Sequence, residues 1–165
     1  MNPMNEKEAL GRMAAYCSGA ERCASDVRKK LDAAGLAAPA ADRILATLMR
    51  EGFIDEARFA GSFVNDKVYF NHWGRIKIAC ELRRKNIPDD VCRDAIAGID
   101  STDYLSMLLS VLEKKKRTTK GKDDRDVFTK LMRFAAGRGF EHRETVYCLH
   151  RLFQAVDRDW YDDTE

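Results

Sequence analysis

Apolar residues recur along most of this chain at helical spacing, and three times the recurrence ends in the same way. Val27 and Leu31, Ile78 and Leu82, and Leu131 and Ala135 are i, i+4 pairs, which puts each pair on one helix face. In each case a residue tolerant of the left-handed conformation follows in register (Gly35, Asn86 or Gly139), and then an apolar one (Leu36, Ile87 or Phe140). The flanking segments carry stripes of their own. Leu10, Met13, Ala14 and Cys17 mark an opening helix that Ser18-Gly19 interrupts, and Ile44, Leu45, Leu48 and Met49 mark a helix between Pro39 and Gly52. Phe59, Ala60, Phe63, Val64 and Val68 form a stripe that breaks at Asn71-His72-Trp73-Gly74. Val91, Ala95 and Ile99 follow the helix start Pro88-Asp89-Asp90, where carboxylates meet the positive end of the helix dipole.

After a cap expected at Thr102-Asp103 come Leu105, Leu108, Leu109 and Leu112, then a helix holding Phe128, then one holding Val146, Leu149 and Phe153. The expectation is an all-α fold of three tandem three-helix repeats, residues 6–53, 54–100 and 101–156, forming an elongated, curved helical array. An acidic tail over 157–165 closes the chain, with Asp157, Asp159, Asp162, Asp163 and Glu165 against Arg158 alone. A tandem helical array buries one continuous core and presents an extended surface, which suits binding along something long.

Charge sharpens that picture only locally. A third of the residues (34%) are charged, yet the formal net charge is +2, so any nucleic-acid contact must rest on clusters. Arg75, Lys77, Arg83, Arg84 and Lys85 surround a single acid, Glu81, and Ile78 and Leu82 facing the core leave much of that charge outside. Arg28, Lys29 and Lys30 are a weaker equivalent in the first repeat. The densest run is Lys114, Lys115, Lys116, Arg117, Lys120 and Lys122, with no acid among them; it reads as an interaction segment or a solvated connecting loop. Lysine and arginine in either cluster suit phosphates or an acidic partner groove, and an ordinary solvated face is the competing reading. Tyr69, Phe70, His72 and Trp73 are expected to fill the corner between two helices rather than to stack on bases.

Chemistry of other kinds finds little support in the residues. Cys17, Cys23, Cys80, Cys92 and Cys148 form no CxxC pair and are odd in number, which suits reduced, mostly packed thiols. Cys148, His150 and His142 fit no standard zinc spacing, so no metal and no cofactor are expected. No Gly-Lys-Ser/Thr phosphate loop and no nucleophile–base arrangement stands out, and the expectation is a protein without catalytic activity. The stretch Met1–Met13 carries Glu6, Lys7, Glu8 and Arg12 and does not read as a signal peptide, and no apolar run reaches membrane-spanning length. A cytoplasmic monomer with no membrane partner is expected.

The junction of the first two repeats carries a family resemblance. Gly52-Phe53-Ile54-Asp55-Glu56-Ala57-Arg58-Phe59-Ala60 leads into Ser62-Phe63-Val64, then Gly74-Arg75-Ile76, then Glu81-Leu82-Arg83 with Lys85-Asn86-Ile87. In order and spacing this resembles the RecX family, regulators of the RecA recombinase, and Asp26-Val27-Arg28 with Lys30-Leu31 extends the likeness into the first repeat. Asn86 stands where the family pattern has glycine, and the third repeat matches by architecture only. The resemblance implies a non-enzymatic protein that lodges in the groove of a RecA–DNA filament and limits recombinase activity, with DNA phosphates as a secondary contact. The two basic clusters are then the candidate contact residues. The alternative is a helical DNA-binding protein with no recombinase partner, its basic helices meeting a duplex directly.

Overall fold

The computed structural model describes residues 5–162, and within them every regular element is helical. The order is α1 (Glu6–Gly19), α2 (Ala24–Ala33), α3 (Ala38–Arg50), α4 (Glu56–Tyr69), α5 (Arg75–Arg84), α6 (Asp89–Ala97), α7 (Ser101–Thr118), α8 (Asp124–Gly137) and α9 (His142–Leu149), followed by a 3₁₀ turn at Arg158–Trp160. No single helix among the described residues is long and apolar enough to cross a membrane. Asp163 and Glu165 of the expected acidic tail lie outside the described residues.

The threefold sequence pattern has one structural cause. Gly35, Asn86 and Gly139 have φ of 85°, 59° and 88°, the left-handed region that stops a helix while keeping its last carbonyls bonded. The amide of the next residue then reaches back five positions: Leu36 to Leu31, Ile87 to Leu82 and Phe140 to Ala135, at 3.2, 3.2 and 3.0 Å. Helix starts repeat as well. Asn5, Asp55 and Asp100 open α1, α4 and α7, each accepting from the backbone N–H three residues on at 2.8 to 2.9 Å. The cap of α7 is therefore Asp100, not Thr102-Asp103, because its side chain reaches the Asp103 amide.

Two compact units emerge from the contacts, one made of the residues up to Phe63 with Leu82–Ala95, the other of Val64–Glu81 with the residues from Ile96 onward. In the first, Val27 and Leu31 of α2 meet Ala9 and Cys17 of α1, Ile44 and Leu48 of α3, and Ile54. In the second, Tyr104, Leu108 and Leu112 of α7 pack with Phe128, Leu131 and Ala135 of α8, Cys148 and Leu149 of α9, and Phe140 and Phe153. The chain after α9 folds back on this core. Trp160 meets Phe128 edge-on with ring centroids 5.4 Å apart, and Tyr161 lies 6.2 Å from the same ring.

Two expectations need correction. The 114–122 stretch is not a loop throughout: α7 continues to Thr118, since Lys and Arg are good helix formers and their charge suits the negative end of the helix dipole. Nor does the whole 69–73 aromatic group plug a corner: Phe70 is 76% exposed and Tyr69 45%, while Trp73 is half-buried between the Lys67 and Lys77 side chains.

Candidate nucleic-acid interface

The expected basic residues divide between the two units. Arg83, Arg84 and Lys85 belong to the first. Arg83 and Arg84 are exposed, with Arg83 3.7 Å from Asp89. Lys85 donates to Asp26 at 3.0 Å, both side chains under a third exposed, and its ammonium lies 6.0 Å from the Phe59 ring centre. Of the lesser cluster, Arg28 is drawn to Asp32 and Asp42 and Lys30 sits over the Tyr16 ring.

Burial pushes the Asp26 carboxyl upward, but the Lys85 ammonium, with help from the Cys23 thiol and Lys29, outweighs it and holds the group below its ordinary 3.8. A group depressed in the folded state stabilises above its unfolded value and ceases to do so as pH falls through the folded one. Asp26→Asn is accordingly expected to lower stability at neutral pH, and the gap to the parent is expected to close below pH 3.8 in acid-unfolding curves. Glu56 titrates the other way. Burial raises its carboxyl above 4.5, although its Oε1 accepts the Ala24 amide at the start of α2 at 3.0 Å. Its effect therefore favours the fold below 4.5 and is lost as pH rises through the raised value.

Arg75 and Lys77 belong to the second unit, where a backbone pairing fixes both. The Gly74 amide donates to the Arg138 carbonyl at 2.9 Å and the Ile76 amide to the Gly139 carbonyl at 3.0 Å. This sets Arg75 against Tyr104. Its guanidinium lies 3.9 Å from the ring centre and pairs with Glu141 at 2.8 Å, while its backbone amide donates to the Tyr104 hydroxyl at 3.0 Å. That hydroxyl in turn donates to Glu141. Burial first, and the Glu141 carboxylate second, push the Tyr104 hydroxyl well above the ordinary tyrosine range.

Arg75 is thus tied into the fold. Arg75→Ala is expected to cost roughly 1–3 kcal/mol by leaving its partners incompletely satisfied. At this chain length that is a fall of about 5 °C in thermal midpoint, which calorimetry checks.

Lys77 is half-buried, with its ammonium 4.2 Å from the centre of the Trp73 ring; the ammonium of Lys67 lies 4.6 Å from the same ring. Lys116 turns inward in the second unit, donating to the Leu152 carbonyl above the Phe153 ring. Arg117 pairs with Glu113 along α7. Lys120 and Lys122 are exposed, the first offering its carbonyl to Lys130 and the second its amide to Asp126.

Lys114 and Lys115 behave differently. They line a groove of about 330 Å³ in the second unit with His72, Met107, Val111, Phe134 and Arg138, with the hydroxyls of Ser110 and Thr118 and without a carboxylate. The cations close on one aromatic: Lys115 lies 4.9 Å and Arg138 5.2 Å from the centre of the Phe134 ring. His72 is oriented by its Nδ1–H, which donates to the Val68 carbonyl at 3.2 Å. Sequence reasoning found Lys114 and Lys115 but missed Phe134 and Arg138. A single arginine between Gly137 and Gly139 gives no cluster signal, and its role depends on α8 packing beside α7.

Cys148 is buried, donates weakly to the Leu105 carbonyl at 3.7 Å, and burial pushes its thiol up to about 11, far from a reactive thiolate. Among the described residues no group of His, Cys, Asp and Glu is placed to hold a metal ion. Four cysteines are buried and Cys80 is exposed.

Comparison with known proteins matches this architecture. The model for the second three-helix domain of RecX fits residues 55–96, and that for the third fits residues 102–144. Regulatory protein RecX of Prosthecochloris aestuarii is 28% identical over 152 residues, covering 92% of this chain and 98% of that one. Its counterpart in Chromohalobacter salexigens is 30% identical over 130 residues, covering 79% and 83%. The crystal structure of RecX from Lactobacillus salivarius superposes with a TM-score of 0.81 at 18% identity, over 89% of this chain and 96% of that one. A second RecX crystal structure gives a TM-score of 0.81 at 23% identity over 87% and 72%; both likenesses speak to the fold. The helices that build the groove and the clamp on Arg75 lie largely inside the two matched domains, and this chain belongs to the RecX family.

Proposed function

We propose that this protein is a negative modulator of the RecA recombinase, binding the RecA–DNA filament and restraining its ATPase, strand exchange or growth. The observation that carries the reading is membership of a family whose relatives are named regulatory protein RecX, through domains that include this chain's acid-free basic groove. Occupancy is the mechanism. Lysine and arginine on helical repeats suit phosphates or acidic side chains on recombinase protomers. Arg83 and Arg84 in the first unit and Lys114 and Lys115 in the second are the residues through which it acts, with Lys77, Lys120 and Lys122 of the second unit as further contacts. No step of this mechanism needs a nucleophile, a metal or a cofactor.

The exposed Arg83 and Arg84 also favour a second reading, a helical DNA-binding protein with no recombinase partner. Sedimentation separates the two. The protein is expected to pellet with RecA filaments assembled on single-stranded DNA at a salt concentration where it leaves bare DNA unbound. Charge reversal at Arg83 and Arg84 is expected to weaken that filament binding. Equal pelleting with bare DNA and filament would favour the second reading.

A further inference from the structure

The groove between α7 and α8 has an unusual charge balance for a chain with nearly equal numbers of acids and bases. Three acids that stand near its helices are engaged elsewhere. Glu113 pairs with Arg117, Asp126 with Lys130, and Glu141 with Arg75 and Tyr104. Lys114, Lys115 and Arg138 therefore line one small cavity with no carboxylate in its wall. An anionic ligand complements three cations that share a wall without a carboxylate. The rest of the wall is apolar or hydroxylic: Met107, Val111 and Phe134 beside Ser110 and Thr118. A volume of about 330 Å³ is at the small end of ligand sites and far too small for a helix or a duplex.

We propose that this groove is a nucleotide site, with a phosphate held by Lys114, Lys115 and Arg138 where two of those cations gather over Phe134, and a planar base against the apolar Met107–Val111 wall. Charge-assisted hydrogen bonds from lysine and arginine suit phosphate oxygens, and an apolar wall accepts the face of a base whatever its identity. A serine hydroxyl, that of Ser110, complements a sugar. The ligand chemistry is the same whether the nucleotide is free or is one unit of a single strand. The proposal goes beyond the filament reading and does not require it, since the site is complete within the second unit of this chain.

The test is titration of the full-length protein, with no recombinase present, against two probes. One is ATP by calorimetry, and the other is fluorescein-labelled oligothymidylate of about ten nucleotides by anisotropy. Saturable binding of at least one probe is expected. Lys114→Gln with Lys115→Gln is expected to weaken it at least about tenfold, since two charged contacts are lost. Arg133→Gln with Arg143→Gln removes the same charge from exposed positions outside the groove and is expected to change affinity by no more than about twofold at physiological salt. Circular dichroism establishes that both variants are folded. Binding of ATP identifies a free nucleotide as ligand, and binding of the oligonucleotide alone identifies a strand. Absence of binding by both probes, or equal losses in the two double variants, would overturn the proposal.

Discussion

Gly74→Ala is expected to destabilise the second unit by roughly 3–4 kcal/mol, combining overpacking with loss of backbone hydrogen bonds. A methyl group on Gly74 would overlap the Gly139 carbonyl carbon and oxygen and the Phe140 amide nitrogen, all of them backbone atoms that no rotamer change can move. Relief requires α5 to draw away from the turn after α8. That breaks the Gly74–Arg138 and Ile76–Gly139 hydrogen bonds and lifts Arg75 from Tyr104 and Glu141. At this chain length the cost corresponds to a fall of about 10 °C in thermal midpoint. Gly139→Ala is expected to behave similarly for two reasons: its φ of 88° disfavours any Cβ, and that Cβ would overlap Lys77. Calorimetry on both variants, with Gly137→Ala as the comparison, checks this, because a Cβ at Gly137 meets nothing within 4 Å. A midpoint for Gly74→Ala equal to that of Gly137→Ala would mean that the two backbones do not meet.

Phe128→Ala is expected to cost about 3–5 kcal/mol, the range for removing a fully buried aromatic. The side chain is 0% exposed, and three other rings are arranged on it: Phe153 at 5.8 Å, Trp160 at 5.4 Å and Tyr161 at 6.2 Å. Its loss empties the centre of the second core and releases the segment that follows α9. Two signals are therefore expected together in a denaturation experiment, a lower midpoint and a shift of Trp160 emission toward that of exposed indole. Trp160→Phe in the parent keeps an aromatic at the same place and is expected to retain most of the stability. An unshifted emission in Phe128→Ala would show that Trp160 is held by something other than this ring.

The fold was legible in the sequence to the extent that local chemistry dictates it. The i, i+4 pairs and the residues that accept a left-handed φ are short-range signals, and they placed the three helix ends at Gly35, Asn86 and Gly139. The tertiary choices were not legible. Gly74 reads as a helix breaker, and only the structure shows that its missing side chain admits the backbone of Gly139. Arg75 reads as surface charge because its partners, Tyr104 and Glu141, are 29 and 66 residues away. Lys116 differs from Lys114 and Lys115 only by its position on the turn of α7, which directs it to the Leu152 carbonyl and its neighbours to the groove. Charge density along the chain could not make that distinction, and helix phase does.

The most direct test of the account is the DNA-dependent ATPase rate of a RecA recombinase while this protein is titrated in. Inhibition well below one copy per recombinase is the predicted result, since a regulator that restrains filament growth acts on many protomers at once. A rate that stays flat at excess protein would contradict the account, and with salt-sensitive binding to bare DNA it would leave a nucleic-acid-binding protein in place of a recombinase regulator.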